Sequence, residues 1–228
     1  IDDGIEPPSN PQLSMDDAGN GFAVWEQQAA AALTNIWTNR YSVEDGWGSA
    51  MLLQTGEITN ARAPSVAADT NGNAVAVWIQ QALDSPNQVV WARRYEAGSG
   101  WGPAEPIDQS PTPSAGTRTA VGMDADGNAI ALWARQSVTS TGGRSEVLWA
   151  NRYVAGQGWG VAESIKTDSE TRARDERLSV GVNGDAVAVW VQNDPTRGSS
   201  TEGLNDIWGV RFSDSAWGEP QRVDGSDL

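Results

Sequence analysis

The chain has 228 residues, 30 acidic against 15 basic, for a formal charge of −15 at pH 7. At that charge the electrostatic terms that draw a protein to nucleic acid or to an anionic membrane surface are repulsive, so neither is an expected partner. With no cysteine and no histidine, thiolate nucleophiles, imidazole bases, Ser-His-Asp triads and ordinary zinc sites are excluded.

Lys166 is the one lysine, an acidic and lysine-poor composition suited to solubility in salt, with marine or halophilic origin as its corollary. No run is apolar for long enough to form a spanning helix, so no membrane insertion is expected. Ile1-Asp2 matches Ile107-Asp108, the end of a repeat, so the chain reads as beginning at the tail of a preceding unit and as part of a larger chain.

Twelve tryptophans fall into four sets of three: Trp25, Trp37 and Trp47; Trp78, Trp91 and Trp101; Trp133, Trp149 and Trp159; Trp190, Trp208 and Trp217. Equivalent members lie 53 to 59 residues apart, the spacing of one supersecondary unit copied four times. In the second copy Pro64 to Asp69 is a small-residue strand, Thr70 to Asn73 a turn, and Ala74 to Gln80 a second strand. Gln88 to Tyr95 forms a third strand with Trp91 and Tyr95 on one face, and Ala104 to Ile107 a fourth whose proline suits only an outer edge. Asp16, Asp69 and Asp124 open equivalent turns, Gly19, Gly72 and Gly127 supply the positive-φ position, and the fourth turn is read as shortened to Asn183-Gly184.

Four antiparallel strands per copy, running from a small-residue inner strand to a proline-tolerant outer one, predict an all-β fold, a four-bladed β-propeller forming a single domain over residues 1–228. The blades fall at about 8–55, 62–109, 117–167 and 174–224. The tryptophans then fill the wedges between diverging blades, and only the Gly-Trp-Gly sites leave an indole face free for a sugar ring. Ala67, Ala68, Gly122 and Gly181 leave a narrow axis, which predicts a monomeric closed ring.

The words Gly72-Asn-Ala-x-Ala-Val-Trp-x-Gln80, Ile36-Trp-x-Asn-Arg-Tyr41 and Gly156-x-Gly-Trp-Gly160 resemble the repeat of bacterial secreted or cell-surface proteins that carry arrays of such units. That resemblance implies a secreted, periplasmic or cell-surface location and names no activity. The strand layout is also similar to that of NHL-type propellers, which implies a binding platform. The Asp-box of sialidases is a weaker likeness, because Asp69 precedes Trp78 by nine residues.

Arg40, Arg94, Arg152 and Arg211 recur three places after each second Trp, and an Arg-carboxylate clamp with the Asp turn of the same blade is the plain expectation. Variation points to a site. The interval from first to second Trp grows through 12, 13, 16 and 18 residues while the other intervals stay fixed, so the face bearing the loops at 80–87, 135–146 and 192–206 is the expected binding face.

Gln27, Gln80, Arg135 and Gln192 follow each first Trp by two residues, and Arg62, Arg118 and Arg174 stand just before the inner strands, where copy one has Ser9. Gln27, Gln80, Arg118, Arg135, Arg174 and Gln192 are the candidate ligand-binding residues, an anion-recognising rim for a glycan carboxylate or sulfate. The plain alternative pairs these arginines with Glu57, Asp175 or Glu176, and leaves the charged run from Asp168 to Arg177 as a solvated link. Asp124-Ala-Asp126-Gly-Asn128 is similar to the start of a calcium loop without its distal Glu, so no cofactor and no metal site is assigned, and no catalytic residue stands out. The expected function is a non-enzymatic recognition or structural module binding a glycan or protein; the alternative is a carboxylate-dependent enzyme acting on glycosides.

Overall fold

The computed structural model describes residues 7–28, 33–54, 60–81, 87–109, 115–140, 142–166, 171–193 and 205–225. They form four antiparallel sheets, one per repeat, with the strands of each sheet in chain order from the axis outward. This is the four-bladed propeller architecture that the repeat predicts.

The first blade contains β1 (Ser9–Met15), β2 (Gly21–Gln28), β3 (Thr34–Ser42) and an outer strand broken into β4 (Gly46–Trp47) and β5 (Met51–Leu52). The second has β6 (Ala61–Ala68), β7 (Ala74–Gln81), β8 (Gln88–Glu96) and an unbroken outer β9 (Gly100–Pro106). The third has β10 (Ala115–Met123), β11 (Ala129–Val138), β12 (Arg144–Val154), β13 (Gly158–Trp159) and β14 (Glu163–Ser164). The fourth has β15 (Ala173–Val180), β16 (Ala186–Asn193), β17 (Asn205–Ser213), β18 (Ala216–Trp217) and β19 (Gln221–Arg222). Pro106 ends an outermost strand, where no ladder hydrogen bond is asked of it.

The turn word Asp-x-x-Gly-Asn has a local cause. Asp69 Oδ1 accepts the amides of Asn71 (2.9 Å) and Asn73 (2.8 Å), while Oδ2 accepts Asn73 Nδ2 at 2.7 Å. Asn73 Oδ1 in turn accepts the amide of Ala97 (3.1 Å), tying the inner turn to the outer one. Asp124 and Asn128 repeat the arrangement, and Gly72 and Gly127 hold φ near +79°, which a side chain would resist. The fourth turn is not shortened: Val180 pairs with Ala186 as Met15 pairs with Gly21, leaving five residues in each, and Gly181 stands where the other blades have Asp.

Each blade has a forward face turned to the next blade and a backward face turned to the one before. By strand alternation Val75, Val77, Ile79 and Val90 point forward with Ile107, whereas Ala74, Ala76, Trp78, Trp91 and Tyr95 point backward. The first and second Trp of each repeat are direct cross-strand partners, as Trp78 is to Trp91. Three cores result, each built from the forward face of one blade and the tryptophan-rich backward face of the following one. Trp78, Trp133 and Trp190 are fully buried there, and Trp101, Trp159 and Trp217 meet Tyr95, Tyr153 and Phe212 edge to face at 5.2–5.6 Å. Trp101, Trp159 and Trp217 are thus wedge filling rather than open platforms, whereas Trp47 of the first blade is 55% exposed.

The repeated arginines act across these joints. The guanidiniums of Arg40, Arg94 and Arg152 lie over the rings of Tyr95, Tyr153 and Phe212 in the following blade, at 5.8, 4.9 and 5.7 Å, and Arg94 Nη1 donates to Gly127 O (3.0 Å) in the next turn. The clamp expected within each blade is therefore a clamp between blades, because the turn Asp oxygens are already taken by their own turn. Arg211, in the last blade, pairs instead with a carboxylate of its own blade, Asp185, at 2.9 Å, and Arg94 also lies 3.8 Å from Glu96 of its own blade.

Among the described residues the expected ring is not closed by a joint between inner strands. Consecutive inner strands pack as β1–β6, β6–β10 and β10–β15, and among the described residues no joint of that kind links the fourth blade back to the first. The small axial residues serve close approach of neighbours instead: a Cβ on Gly122 would lie 2.5 Å from Val180 Cγ2.

Candidate functional site

The four inner strands share a departure from regular pairing near their starts. The register shifts between Ser9 and Gln12, Arg62 and Ser65, Ala115 and Thr119, and Arg174 and Arg177. Such bulges bend a strand and re-aim its side chains. Asn10 (φ 50°), Ala63 (φ 53°) and Asp175 (φ 55°) adopt the left-handed conformation there. Asn and Asp tolerate it, whereas at Ala63 it costs about 1–2 kcal/mol. Two bonds offset that strain: Ala63 N donates to Glu26 Oε1 (2.6 Å) from the preceding blade, and Thr119 Oγ1 of the following blade donates to Ala63 O (2.7 Å).

The bulges surround an axial cavity of about 550 Å³ lined by all four blades, through Asn10 and Gln12, Ala63 to Ser65, Arg118 to Val121, and Glu176 to Leu178. Arg118 Nη2 sits 3.2 Å from Asp175 Oδ1, both half-exposed. Asn10 Nδ2 donates to Glu26 Oε1 (3.0 Å), so one carboxylate holds two bulges. Arg177 Nη1 donates to Glu176 O (2.9 Å), leaving the Glu176 side chain to other duties.

Glu176 is the unusual group. Its side chain is buried at the cavity wall, and its Oε1 has no hydrogen-bond partner. Desolvation raises its pKa above the ordinary carboxylate value, with Glu146 and Asp175 adding to the rise and Arg118 opposing it. A carboxyl biased toward its neutral form can donate a hydrogen bond as well as accept one. With the guanidiniums of Arg118 and Arg177 beside it, the wall is rich in donors inside a chain of charge −15.

The sequence candidates separate. Arg118 lines the cavity, and its pairing with Asp175 is the plain alternative drawn from sequence. Arg174 is exposed at the start of β15 and is not among the lining residues. Gln27, Gln80 and Gln192 do not line it either: each Oε1 accepts the indole N–H of the tryptophan two residues before, at 3.3, 2.9 and 3.1 Å. Arg135 is a buried partner of Asp108, stacked 4.1 Å from the Trp149 ring, and desolvation lowers its pKa to about 10. Substitution of arginine for the usual Gln also leaves Trp133 Nε1 without a partner. The three glutamines thus cap the tryptophans they follow, while Arg135 stacks on the second Trp of its repeat. Arg62 donates to Gln88 (2.5 Å) beside Glu26 and lies half-buried.

Residues 82–86, 141 and 194–204 of the long loops, together with Glu57 and Asp168, lie outside the described residues. In the segment with the likeness to a calcium loop, both Asp124 oxygens are spent on turn amides, and among the described residues no group of three or more acidic side chains is placed so that it could hold a metal ion. No helix of the described residues is long and apolar enough to cross a membrane.

No protein-family model matches the sequence, and no curated protein does. Solved structures share the fold. A protein of unknown function from Dyadobacter fermentans superposes with a TM-score of 0.62 at 11% identity, over 94% of this chain and 68% of its own. An α-L-arabinanase from Penicillium chrysogenum, complexed with arabinobiose, gives 0.58 at 14% over 95% and 66%. A sialidase from Streptococcus pneumoniae gives 0.58 at 8% over 96% and 52%. The chain thus spans half to two thirds of the length of these propellers, and at such identities the likeness is one of fold.

Proposed function

We propose that the chain is a saccharide-recognition module whose site is the axial cavity, and that its ligand carries a carboxylate or ester sulfate. The observation that carries this reading is the cationic wall: the guanidiniums of Arg118 and Arg177 line one cavity from two blades, beside the buried Glu176, whose Oε1 has no hydrogen-bond partner. Guanidiniums match oxyanions in geometry and charge, while Asn10, Gln12 and Thr119 offer neutral partners for hydroxyls. The sialidase and the arabinobiose-bound arabinanase among the structural neighbours support a saccharide over other polar ligands. Location at a bacterial surface or in a secreted protein rests on the repeat words alone.

Titration calorimetry with acidic and neutral oligosaccharides at matched ionic strength tests the reading. Arg118→Gln is expected to weaken an acidic ligand by about 1–3 kcal/mol, the value of a charged hydrogen bond. The melting temperature should hardly move, because a half-exposed ion pair is worth about 0–1 kcal/mol. Arg174→Gln serves as the control outside the cavity. Equal effects of the two substitutions, or binding blind to ligand charge, would remove the cavity as the site.

A second reading, hydrolysis of a glycosidic bond, draws on the same Glu176, since burial shifts its pKa upward, the direction a general acid requires. It needs an opposing carboxylate across the cavity, and turnover of aryl glycosides that vanishes in Glu176→Gln is its test.

A further inference from the structure

The four repeats place equivalent residues at the bulges around the axis. Gln12, Ser65, Ala120 and Arg177 pair with Val24, Val77, Leu132 and Val189, each the residue before the first Trp of its repeat. Two places earlier stand Asn10, Ala63, Arg118 and Asp175. The first two are uncharged, whereas the last two are of opposite sign and belong to adjacent blades. Arg118 Nη2 lies 3.2 Å from Asp175 Oδ1, with both side chains 49% exposed. Arg118 is among the residues that line the axial cavity, and the first and second blades contribute only uncharged side chains to that lining.

An anion that approaches Arg118 therefore meets a guanidinium whose charge is already offset and whose Nη2 is engaged. It must displace the Asp175 carboxylate or tolerate a like charge a few ångströms away. Displacement is cheap, because an ion pair open to water to this extent favours the paired state by no more than about fivefold. Glu176, the next residue, opposes an anion less, since desolvation biases its carboxyl toward the neutral form. An uncharged ligand has no reason to break the pair: it can bond to the remaining donors of the guanidinium and leave Asp175 in place.

We propose that Asp175 is a specificity-determining residue of the axial site, an internal counter-ion that occupies Arg118 in the free chain, is displaced by the oxyanion of an acidic saccharide, and stays in place under a neutral one. The proposal rests on the reading of the axial cavity as a saccharide site. Its consequence is that the parent chain discriminates between acidic and neutral ligands less than its guanidiniums would allow. Asparagine is the suitable replacement at this position. Asp175 holds a left-handed backbone at φ 55°, and Asn10 holds nearly the same one, φ 50°, at the equivalent place in the first blade.

Titration calorimetry at matched ionic strength and neutral pH, with a disaccharide carrying one uronate and with its methyl ester as probes, tests this. Asp175→Asn should bind the uronate about threefold or more tighter than the parent, the ion pair no longer having to be broken. The methyl ester should gain nothing. In an Arg118→Gln background the same substitution should lose its effect, because the two residues act as one pair in a double-mutant cycle. Thermal melts of the three variants show that each is folded. Uronate binding that is unchanged or weakened by Asp175→Asn overturns the proposal and makes Asp175 a residue that positions Arg118, with the cavity still the site. A gain shared by the methyl ester, or one that persists without Arg118, overturns it as well. If the uronate binds neither the parent nor Asp175→Asn, the proposal falls together with the reading of the cavity.

Discussion

Trp78 and Trp25 hold the same place in their repeats, are flanked by the same words, and pair across the sheet with Trp91 and Trp37. Trp78 is fully buried, but Trp25 keeps part of its surface in water. The second blade is clamped between neighbours and its β7 is buried from Ala74 through Gln80, while β16 of the fourth blade alternates between buried and exposed. Closely similar local sequence thus yields a core strand in one place and a half-solvated one in another. A blade's secondary structure is a property of its repeat, but its stability is a property of its neighbours, as in other one-dimensional arrays.

The largest test of that contrast is truncation of the paired tryptophans. Trp78→Ala should cost about 3–5 kcal/mol, the range for removing a fully buried aromatic, and Trp25→Ala distinctly less. Urea melts of the two variants measure the gap. Equal losses would mean that a blade's stability does not depend on its neighbours.

Next in size is the indole cap. Gln80→Leu leaves the Trp78 N–H buried without its acceptor, a loss of about 1–3 kcal/mol, whereas Gln27→Leu should cost less because Trp25 Nε1 has access to water. Smaller again is the arginine clamp. Arg94→Ala removes a guanidinium over Tyr153 and a bond to Gly127 O, worth about 1–2 kcal/mol together. Arg211→Ala removes only an exposed ion pair and should leave the melt of the monomer unchanged.

The smallest effect is a pH slope at the axis. The native state holds the Glu176 proton more tightly than the unfolded chain does. Below the ordinary carboxylate range both states are protonated and the group contributes nothing to the slope. As pH rises from the ordinary value to the raised one the unfolded chain ionises first, so stability falls across that window. Glu176→Gln should lack this decline, and the difference between parent and variant in melting temperature against pH isolates it. Parallel profiles would show Glu176 to be better solvated than its burial implies, and would weaken the cavity as a site.

Most of the architecture was legible because a repeat exposes its own constraints. Four copies of one word show which positions tolerate change, and period-two alternation sorts Val75 and Val77 from Ala74, Ala76 and Trp78 before any tertiary contact is known. The site was less legible. Gln80 and Arg135 look available in a list of polar residues near loops, but the indole N–H of Trp78 on the same strand claims the one, and Asp108 of the preceding repeat claims the other. Glu176 hid in a charged run that reads as a solvated link. Its phase with Leu178 and Val180 was the available signal, obscured by the bulge that precedes Arg177.

The sequence by itself determined the strand order, the turns and the pairing of tryptophans within each blade, because these rest on contacts between residues near in the chain whose pattern recurs. Only the tertiary structure decided that the arginines clamp the following blade and that four bulges frame an axial cavity beside Glu176. Those features depend on the angle at which successive blades meet. That angle is the sum of many side-chain volumes across each joint, and no single repeat contains it.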